Sequence, residues 1–337
     1  MWLLVGYPKV SVIVLNYNGV RYATNCFKSL GKQTYPNYEV IMVDNSSKDE
    51  SVDFVRQCFP WVKIIRNSLN LGYAKANNEA AKQVDGDYIL FLNEDTWVKY
   101  DLLDVLVSAV TEDPMIGVCA CTQFSYDGKF KLNAGMTIDL IAYPVIPNEG
   151  EQILYADGAS LFIKKSLFLQ LGGFDAEYFM YAEEVDLCWR VLLSGFDVTA
   201  VPRAIVGHKS AGTFVMSEET YRVNKFRRYL AERNSLRTLL KNYSAFTLLY
   251  MLPLRLILTF EQIFLFMIVN SDFVMVEIRA IIWNVKRLKE TFTLRNFVQT
   301  NRRVSDRNIM KRMSKIIGLA RSFATIHQDS LGIRWEE

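Results

Sequence analysis

Four short apolar runs in the first hundred residues each end in a polar cluster. They are 10–16 (VSVIVLN), 38–43 (YEVIMV), 62–66 and 88–92 (YILFL), rich in β-branched and aromatic residues. The continuous run 10–16 suits a parallel strand covered on both faces, and 38–43 reads as a second buried strand. Between the four runs, 20–33, 49–58 and 73–83 read as helices. Asn18-Gly19 turns the chain into the first, and Asp44-Asn45-Ser46-Ser47 offers N-cap chemistry to the second. This alternation predicts an α/β fold with a mostly parallel central sheet and helices on both faces.

The middle of the chain, 111–215, is mixed. A strand is expected over 116–124, then a turn at Asp127-Gly128, and Asp157-Gly158 precedes another apolar run. Ala182-Glu183 opens a helix, and strand-like 198–201 and 204–206 lead to His208. From 216 the character changes again. Over 222–242 Phe226, Tyr229, Leu230, Leu236, Leu239 and Leu240 fall on one helical stripe among Lys and Arg. Segment 246–269 is long enough to span a bilayer, but Pro253, Arg255 and Glu261 interrupt it. One Arg near a helix centre costs about 2.5–3.5 kcal/mol on insertion. Amphipathic helices lying in a membrane interface are therefore expected, ahead of a transmembrane or re-entrant hairpin and of a soluble helical subdomain or dimer interface.

Composition sharpens this division. Half the residues are hydrophobic and 22% charged, which excludes a disordered chain. The net charge of +3 conceals an asymmetry: 221–321 holds 20 Lys/Arg against 6 Asp/Glu, whereas the remainder holds 19 against 30. A basic tail calls for an anionic partner. Its cations are interleaved with aliphatic runs more than with aromatics for base stacking, so a membrane surface is expected and no nucleic acid. The five cysteines, Cys26, Cys58, Cys119, Cys121 and Cys188, lack the second close pair that a zinc site needs. They read as small buried hydrophobes of a reducing compartment. Residues 1–5 are too short for a signal-peptide core, so the cytoplasmic face of a membrane is expected, with peripheral or monotopic attachment.

The candidate chemistry follows the strand ends. Asn16-Tyr17-Asn18, Asp44-Asn45-Ser46 and Asn93-Glu94-Asp95 all lie just past a strand's C-terminal end, where α/β sheets bind ligands. No G-x-G-x-x-G or P-loop follows the first strand, which weighs against dinucleotide redox and P-loop phosphoryl transfer. Asn93-Glu94-Asp95 can hold a Mg²⁺ or Mn²⁺ shared with substrate phosphates, or cap a helix starting at Thr96. Glu183, Glu184 and Asp186 can supply a general base, or only complement a helix dipole. His208, one of two histidines with His327, is either structural or completes a metal shell with Asp95.

As an ordered series these residues resemble family 2 glycosyltransferases of the GT-A fold, most of all the rhamnosyltransferase-like branch. The series runs through Val12–Asn18, Val43–Ser47, Asn70–Asn78 and Phe91–Asp95. It continues through Gly172–Asp175, Phe179–Tyr181, Glu183–Arg190 and Val206–His208, covering about residues 8–215. The resemblance implies a catalytic domain over 1–215, with a nucleotide-sugar half at 8–110 and an acceptor half at 111–215. A basic amphipathic helical extension over 216–337 would follow it.

The resemblance further implies inverting sugar transfer from a nucleotide-diphosphate-sugar, such as a UDP- or dTDP-sugar, to a hydroxyl of a glycan or lipid-linked glycan. Asn16 and Asp44 would contact the nucleotide, with Asn45 and Lys75 nearby. Asn93 and Asp95 occupy the DXD-type position, Asp95 binding the divalent metal with His208. Glu184 would be the base beside Glu183, Asp186 and Arg190 would support it, and Asp157 would contact donor sugar or acceptor. Asn93 stands where the strict motif has Asp, which thins the metal shell. Glu184 stands where Asp is usual, adding one methylene of reach. A second copy of the chain is a further partner. The rival readings are a nucleotidyltransferase acting on a sugar phosphate, and a non-catalytic membrane-surface or nucleic-acid-binding protein. The loop Asn16–Val20 lacks the glycine- and basic-rich character that a triphosphate loop needs.

Overall fold

The computed structural model describes residues 6–148, 151–209, 225–269 and 271–315. His327 and the first three residues of the helix expected over 222–242 lie outside them. The strands are β1 (Val10–Asn16), β2 (Tyr38–Asp44), β3 (Lys63–Arg66), β4 (Tyr88–Asn93), β5 (Thr96–Val98) and β6 (Ile116–Ser125). After these come β7 (Lys131–Asn133), β8 (Thr137–Ile138), β9 (Pro144–Val145), β10 (Ser160–Lys164) and β11 (Asp197–His208). The helices are α1 (Val20–Leu30), α2 (Ser51–Cys58), α3 (Gly72–Gln83), α4 (Leu102–Glu112), α5 (Lys165–Gln170) and α6 (Glu183–Leu193). Five more follow: α7 (Lys225–Asn242), α8 (Ala245–Val269), α9 (Val274–Lys286), α10 (Leu288–Thr300) and α11 (Asp306–Arg312).

The chain divides into two compact units. One comprises Met1–Met136 with Ile153–Val215, the other Thr137–Gln152 with Met216–Glu337. In the first, the sheet order is β3-β2-β1-β4-β10-β6-β11-β5, with β7 on β6. Strands β3, β2, β1 and β4 pair in parallel, with β1, β2 and β4 largely buried and β3 a partly exposed edge strand. Beyond β4 the sheet is mixed, because β10 runs antiparallel to both β4 and β6. Val12, Val14, Met42, Leu90 and Leu92 pack on one face with Phe27, Val55 and Leu106. On the other face Phe91 meets Phe168 and Phe174 at ring-centroid distances of 5.0 and 5.2 Å. Truncating Phe91 to Ala there should cost about 3–5 kcal/mol.

Three local expectations are corrected. Thr96 opens the strand β5, not a helix, since Thr96–Val98 pairs with β11. Segments 198–201 and 204–206 form one strand with a register break between Val201 and Ile205, where Pro202 cannot donate to the ladder. Helix α2 begins at Ser51, and Asp44 closes its own turn by accepting from the Ser47 amide at 3.2 Å. Four cysteines are buried, but Cys58 is exposed at the end of α2.

In the second unit, α7 buries Leu230, Leu236, Leu239 and Leu240 of its apolar stripe, but its polar side is covered as well. Phe226 is exposed, while Arg228, Arg233 and Arg237 are buried. Acids and rings on neighbouring elements receive these cations. Arg228 donates to Glu277 at 2.7 Å, and Arg237 donates to Glu290 and Thr291 at 3.0 and 2.9 Å. The Arg233 guanidinium stacks on Trp283 at 4.4 Å. At the helix C-terminus, Arg295 and Gln299 donate to carbonyls of residues 240–243 that have no partner within the helix. A buried cation with a carboxylate partner can be more favourable than the sequence pattern alone implies.

Candidate active site

One polar cluster is built at the C-terminal ends of β1, β2 and β4. Asn16 and Asp44 are paired across β1 and β2. The Asn16 amide donates to Ser47 and Ser51 at 3.0 and 2.9 Å. Asp44 is fully buried and its Oδ2 accepts no hydrogen bond, with the Arg66 guanidinium at 3.5 Å. A buried carboxylate oxygen without a donor is costly unless a ligand supplies one. Asn45 is engaged otherwise: its carbonyl oxygen accepts from Asn67 and Leu71, and its amide donates to Asn70 and Gly72. It ties down the loop that opens α3. Lys75 is exposed on α3.

Strand β5 creates a juxtaposition that the sequence pattern does not show. It pairs Thr96 with His208, and so sets the preceding residue, Asp95, beside the imidazole. His208 Nε2 lies 3.3 Å from Asp95 Oδ1. The strand's close approach is possible because Gly207 has no Cβ; one there would lie 2.0 Å from the Trp97 ring. Burial opposes protonation of His208, but Asp95, and more distantly Asp157 and Glu94, outweigh it and raise its pKa. Asn93 is half-buried, its backbone amide donating to the Ala159 carbonyl at 3.1 Å.

Glu94 joins this cluster and was not among the expected contacts. A Cβ on Gly19 would lie 2.5 Å from Glu94 Cγ and 2.6 Å from Asn16 Oδ1, so glycine is required between them. Burial, reinforced by Asp95, pushes the Glu94 carboxyl up to about 7. Its place between two expected ligand residues was the only sequence signal for it.

A second cluster centres on the start of α6. Phe179, Tyr181 and Ala182 have positive φ values of 63, 70 and 65°, an unusual run for residues with side chains. The Phe179 carbonyl accepts from the Tyr73 and Ala74 amides at the start of α3, which holds the strained turn in place. The turn delivers Glu183 and Glu184 side by side. Each has an Oε2 without a hydrogen-bond partner. Burial and the Asp157 charge push Glu183 up to about 7. Burial and the Glu183 charge hold Glu184 well above the usual carboxylate range. A Cβ on Gly158 would sit 3.7 Å from the Glu184 carboxyl carbon, and the Tyr73 hydroxyl donates to the Gly158 carbonyl at 2.7 Å.

Asp157 links the two clusters, because its charge raises the pKa of Glu183 and Glu184 as well as of His208. The pairing of β10 with β4 brings Asp157-Gly158 next to Asn93. Asp186 stands apart. It is fully buried and accepts from Arg190 Nε at 2.9 Å, while Arg190 also donates to the Leu171 and Gly173 carbonyls at 2.7 Å each. Asn78 grips the same loop through the backbone of Phe174, at 2.7 and 2.9 Å. Asp186 and Arg190 therefore position Gly172–Phe174.

Among the described residues no group of three or more His, Cys, Asp or Glu side chains could itself hold a metal ion. The pair Asp95 and His208 offers one carboxylate oxygen and one imidazole nitrogen. That set fits a hard divalent cation whose remaining ligands are diphosphate and water oxygens.

A mixed sheet of this order, with its polar residues gathered at the strand ends, defines the GT-A class. The glycosyl transferase family 2 model matches residues 11–175 of this chain. The chain is 32% identical over 171 residues to an uncharacterized glycosyltransferase of Haemophilus influenzae, covering 49% of this chain and 55% of that protein. It is 27% identical over 233 residues to the N-acetylglucosaminyl-diphospho-decaprenol L-rhamnosyltransferase of Mycobacterium tuberculosis, covering 59% and 76%. In fold it is similar to a Pyrobaculum calidifontis mannosyltransferase solved with GDP-Man and Mn²⁺. The TM-score is 0.53 at 15% identity, over 98% of this chain and 89% of that one. The match thus spans about half the length of the Haemophilus relative and three quarters of the mycobacterial one.

Proposed function

We propose that the protein transfers a sugar from a nucleotide-diphosphate-sugar to a hydroxyl of a glycan or lipid-linked glycan, with inversion at the anomeric carbon. The observation that carries this reading is the division of one carboxylate-rich site into two environments joined by Asp157. Asp95 is paired with an imidazole on the donor side, and Glu183 and Glu184 are kept basic on the acceptor side. The mycobacterial relative, a rhamnosyltransferase with a lipid-linked acceptor by name, supports this substrate class.

In this mechanism Asp44 and Asn16 receive the nucleotide. Asp95 and His208 would hold a divalent cation, Mg²⁺ or Mn²⁺, which would supply positive charge against the leaving diphosphate. Glu184 takes the acceptor hydroxyl's proton as oxygen attacks the anomeric carbon from the face opposite the diphosphate. The transition state is oxocarbenium-like, and inversion needs one displacement and no covalent nucleophile. A raised pKa makes Glu184 a stronger base near neutral pH than an ordinary carboxylate. The Tyr73–Gly158 hydrogen bond fixes the backbone beneath that carboxylate.

Attachment of 216–337 to the cytoplasmic face of a membrane belongs to the same proposal, because a lipid-linked acceptor must be met at its surface. The testing experiment incubates the chain with UDP-, dTDP- and GDP-sugars and Mn²⁺ and measures released nucleoside diphosphate. Release from one donor, abolished by Asp95→Ala, is expected. No binding or turnover of any nucleotide sugar would refute the reading.

A further inference from the structure

Helix α8 is inverted relative to a soluble amphipathic helix. The face packed into its own unit carries Thr247, Met251, Arg255, Thr259, Gln262 and Phe266, all at most 6% exposed and four of them polar. The outward face carries Phe246, Leu249, Ile257, Phe260, Phe264 and Ile268, between 56 and 75% exposed. From Phe246 to Ile268 this apolar row is about 33 Å long at 1.5 Å per residue. Among the exposed residues of the helix, Glu261 is the one charge.

The inner face explains how Arg255 can sit in so apolar a segment. Its guanidinium donates to Glu232 of α7 and to the Tyr143 hydroxyl, both at 2.7 Å. Glu232 also accepts from Arg228, which in turn donates to Glu277. The cation that argues against a spanning helix in the sequence is thus turned inward and paired within the unit, and adds no cost at the outer face.

We infer that the outward face of α8 is seated in the plane of an anionic lipid bilayer, with Phe246, Leu249, Ile257, Phe260, Phe264 and Ile268 entering the acyl boundary. This rests on the membrane attachment proposed above, and not on the sugar transfer. Charge complementarity selects the occupant. The stretch 221–321 carries 20 Lys/Arg against 6 Asp/Glu, so an anionic surface attracts it and a second copy of the same unit repels it. Exposed Arg279, Lys286 and Lys289 alternate along α9 and the start of α10 with exposed Met275, Ile282 and Val285, a pattern suited to headgroups above acyl chains. In-plane seating follows from the inner face. A spanning α8 would carry the Arg255–Glu232–Arg228–Glu277 network into hydrocarbon.

The test is flotation of the full chain with vesicles of phosphatidylcholine alone or mixed with phosphatidylglycerol. Co-flotation should be about tenfold or more stronger with phosphatidylglycerol and fall in high salt. The triple variant Leu249→Glu, Ile257→Glu, Phe264→Glu should lose it, while Phe130→Glu, an exposed position in the other unit, should not. Circular dichroism confirms that each variant is folded. If the triple variant does not fold, Ile257→Trp replaces it, and its emission should be quenched by brominated acyl chains. Flotation retained by the folded triple variant, or no quenching of Ile257→Trp, overturns the assignment of α8 while leaving membrane attachment intact. A wild-type dimer that does not float, and that the triple variant converts to monomer, overturns both. Nucleotide-sugar turnover measured on the same samples reports separately on the transfer chemistry.

Discussion

His208 Nε2 lies 3.3 Å from Asp95 Oδ1, although 113 positions separate the two residues, because three residues of β5 pair with the end of β11. If this pair holds the cation, Asp95→Ala and His208→Ala should each weaken Mn²⁺-dependent donor binding about 100-fold or more. That exceeds or matches the 10–100-fold loss seen when groups that merely orient ligands are removed. Calorimetry with and without EDTA checks this. In EDTA the variants and the wild type should bind the donor alike.

Glu184 and Glu183 are adjacent, but Glu184 is the one lying over Gly158. Glu184→Gln should lower kcat about 10²–10⁴-fold, the range for losing a general base, and leave donor affinity unchanged. Steady-state kinetics together with a donor-binding isotherm separate the two effects. Comparable loss in Glu183→Gln with normal turnover in Glu184→Gln would transfer the role to Glu183.

The pH profile should carry the same signature. A base must be deprotonated to act, and burial holds Glu184 well above the usual carboxylate range, with Glu183 at about 7. Activity should therefore fall as pH drops through neutrality. Stability should run the other way. A carboxyl whose folded pKa is raised contributes stability that is full below its unfolded value and lost as pH rises through the folded one. Glu183→Gln should raise the melting temperature at pH 8 and change it little at pH 4, as scanning calorimetry can show.

Arg190 anchors the loop before the strained turn through Asp186, Leu171 and Gly173. Arg190→Met leaves the buried Asp186 without this cation and should cost about 3–5 kcal/mol, read as a lowered denaturation midpoint. Because the loop supports the acceptor side, kcat should fall more than donor affinity.

Much of this was legible in the sequence for a physical reason. Runs such as VSVIVLN and YILFL are apolar on both faces, so they belong in a covered parallel sheet, and their polar ends then have to share one edge. Asp44 and Asp95 were read from that edge. What the pattern could not show depends on non-local pairing. Strand β5 is three residues long, and nothing in Thr96-Trp97-Val98 distinguishes it from a helix start until β11 lies beside it. The place of Asn45 after Asp44 could not show that its amide reaches Asn70 and Gly72, in the loop that opens α3. In α7 and α8 the pattern did not show that arginines are buried. Arg233 and Arg255 are inside because a ring or an acid on another element receives them, which no single segment's periodicity reveals.

The central claim is one displacement at an anomeric carbon, with the base on one side and the leaving diphosphate on the other. Proton NMR of the first product formed from an α-linked nucleotide sugar, with the nucleotide product identified in the same tube, tests it most directly. The account predicts a β-linked product with stoichiometric nucleoside diphosphate, both lost in Glu184→Gln. An α-linked product, or release of pyrophosphate, would contradict it.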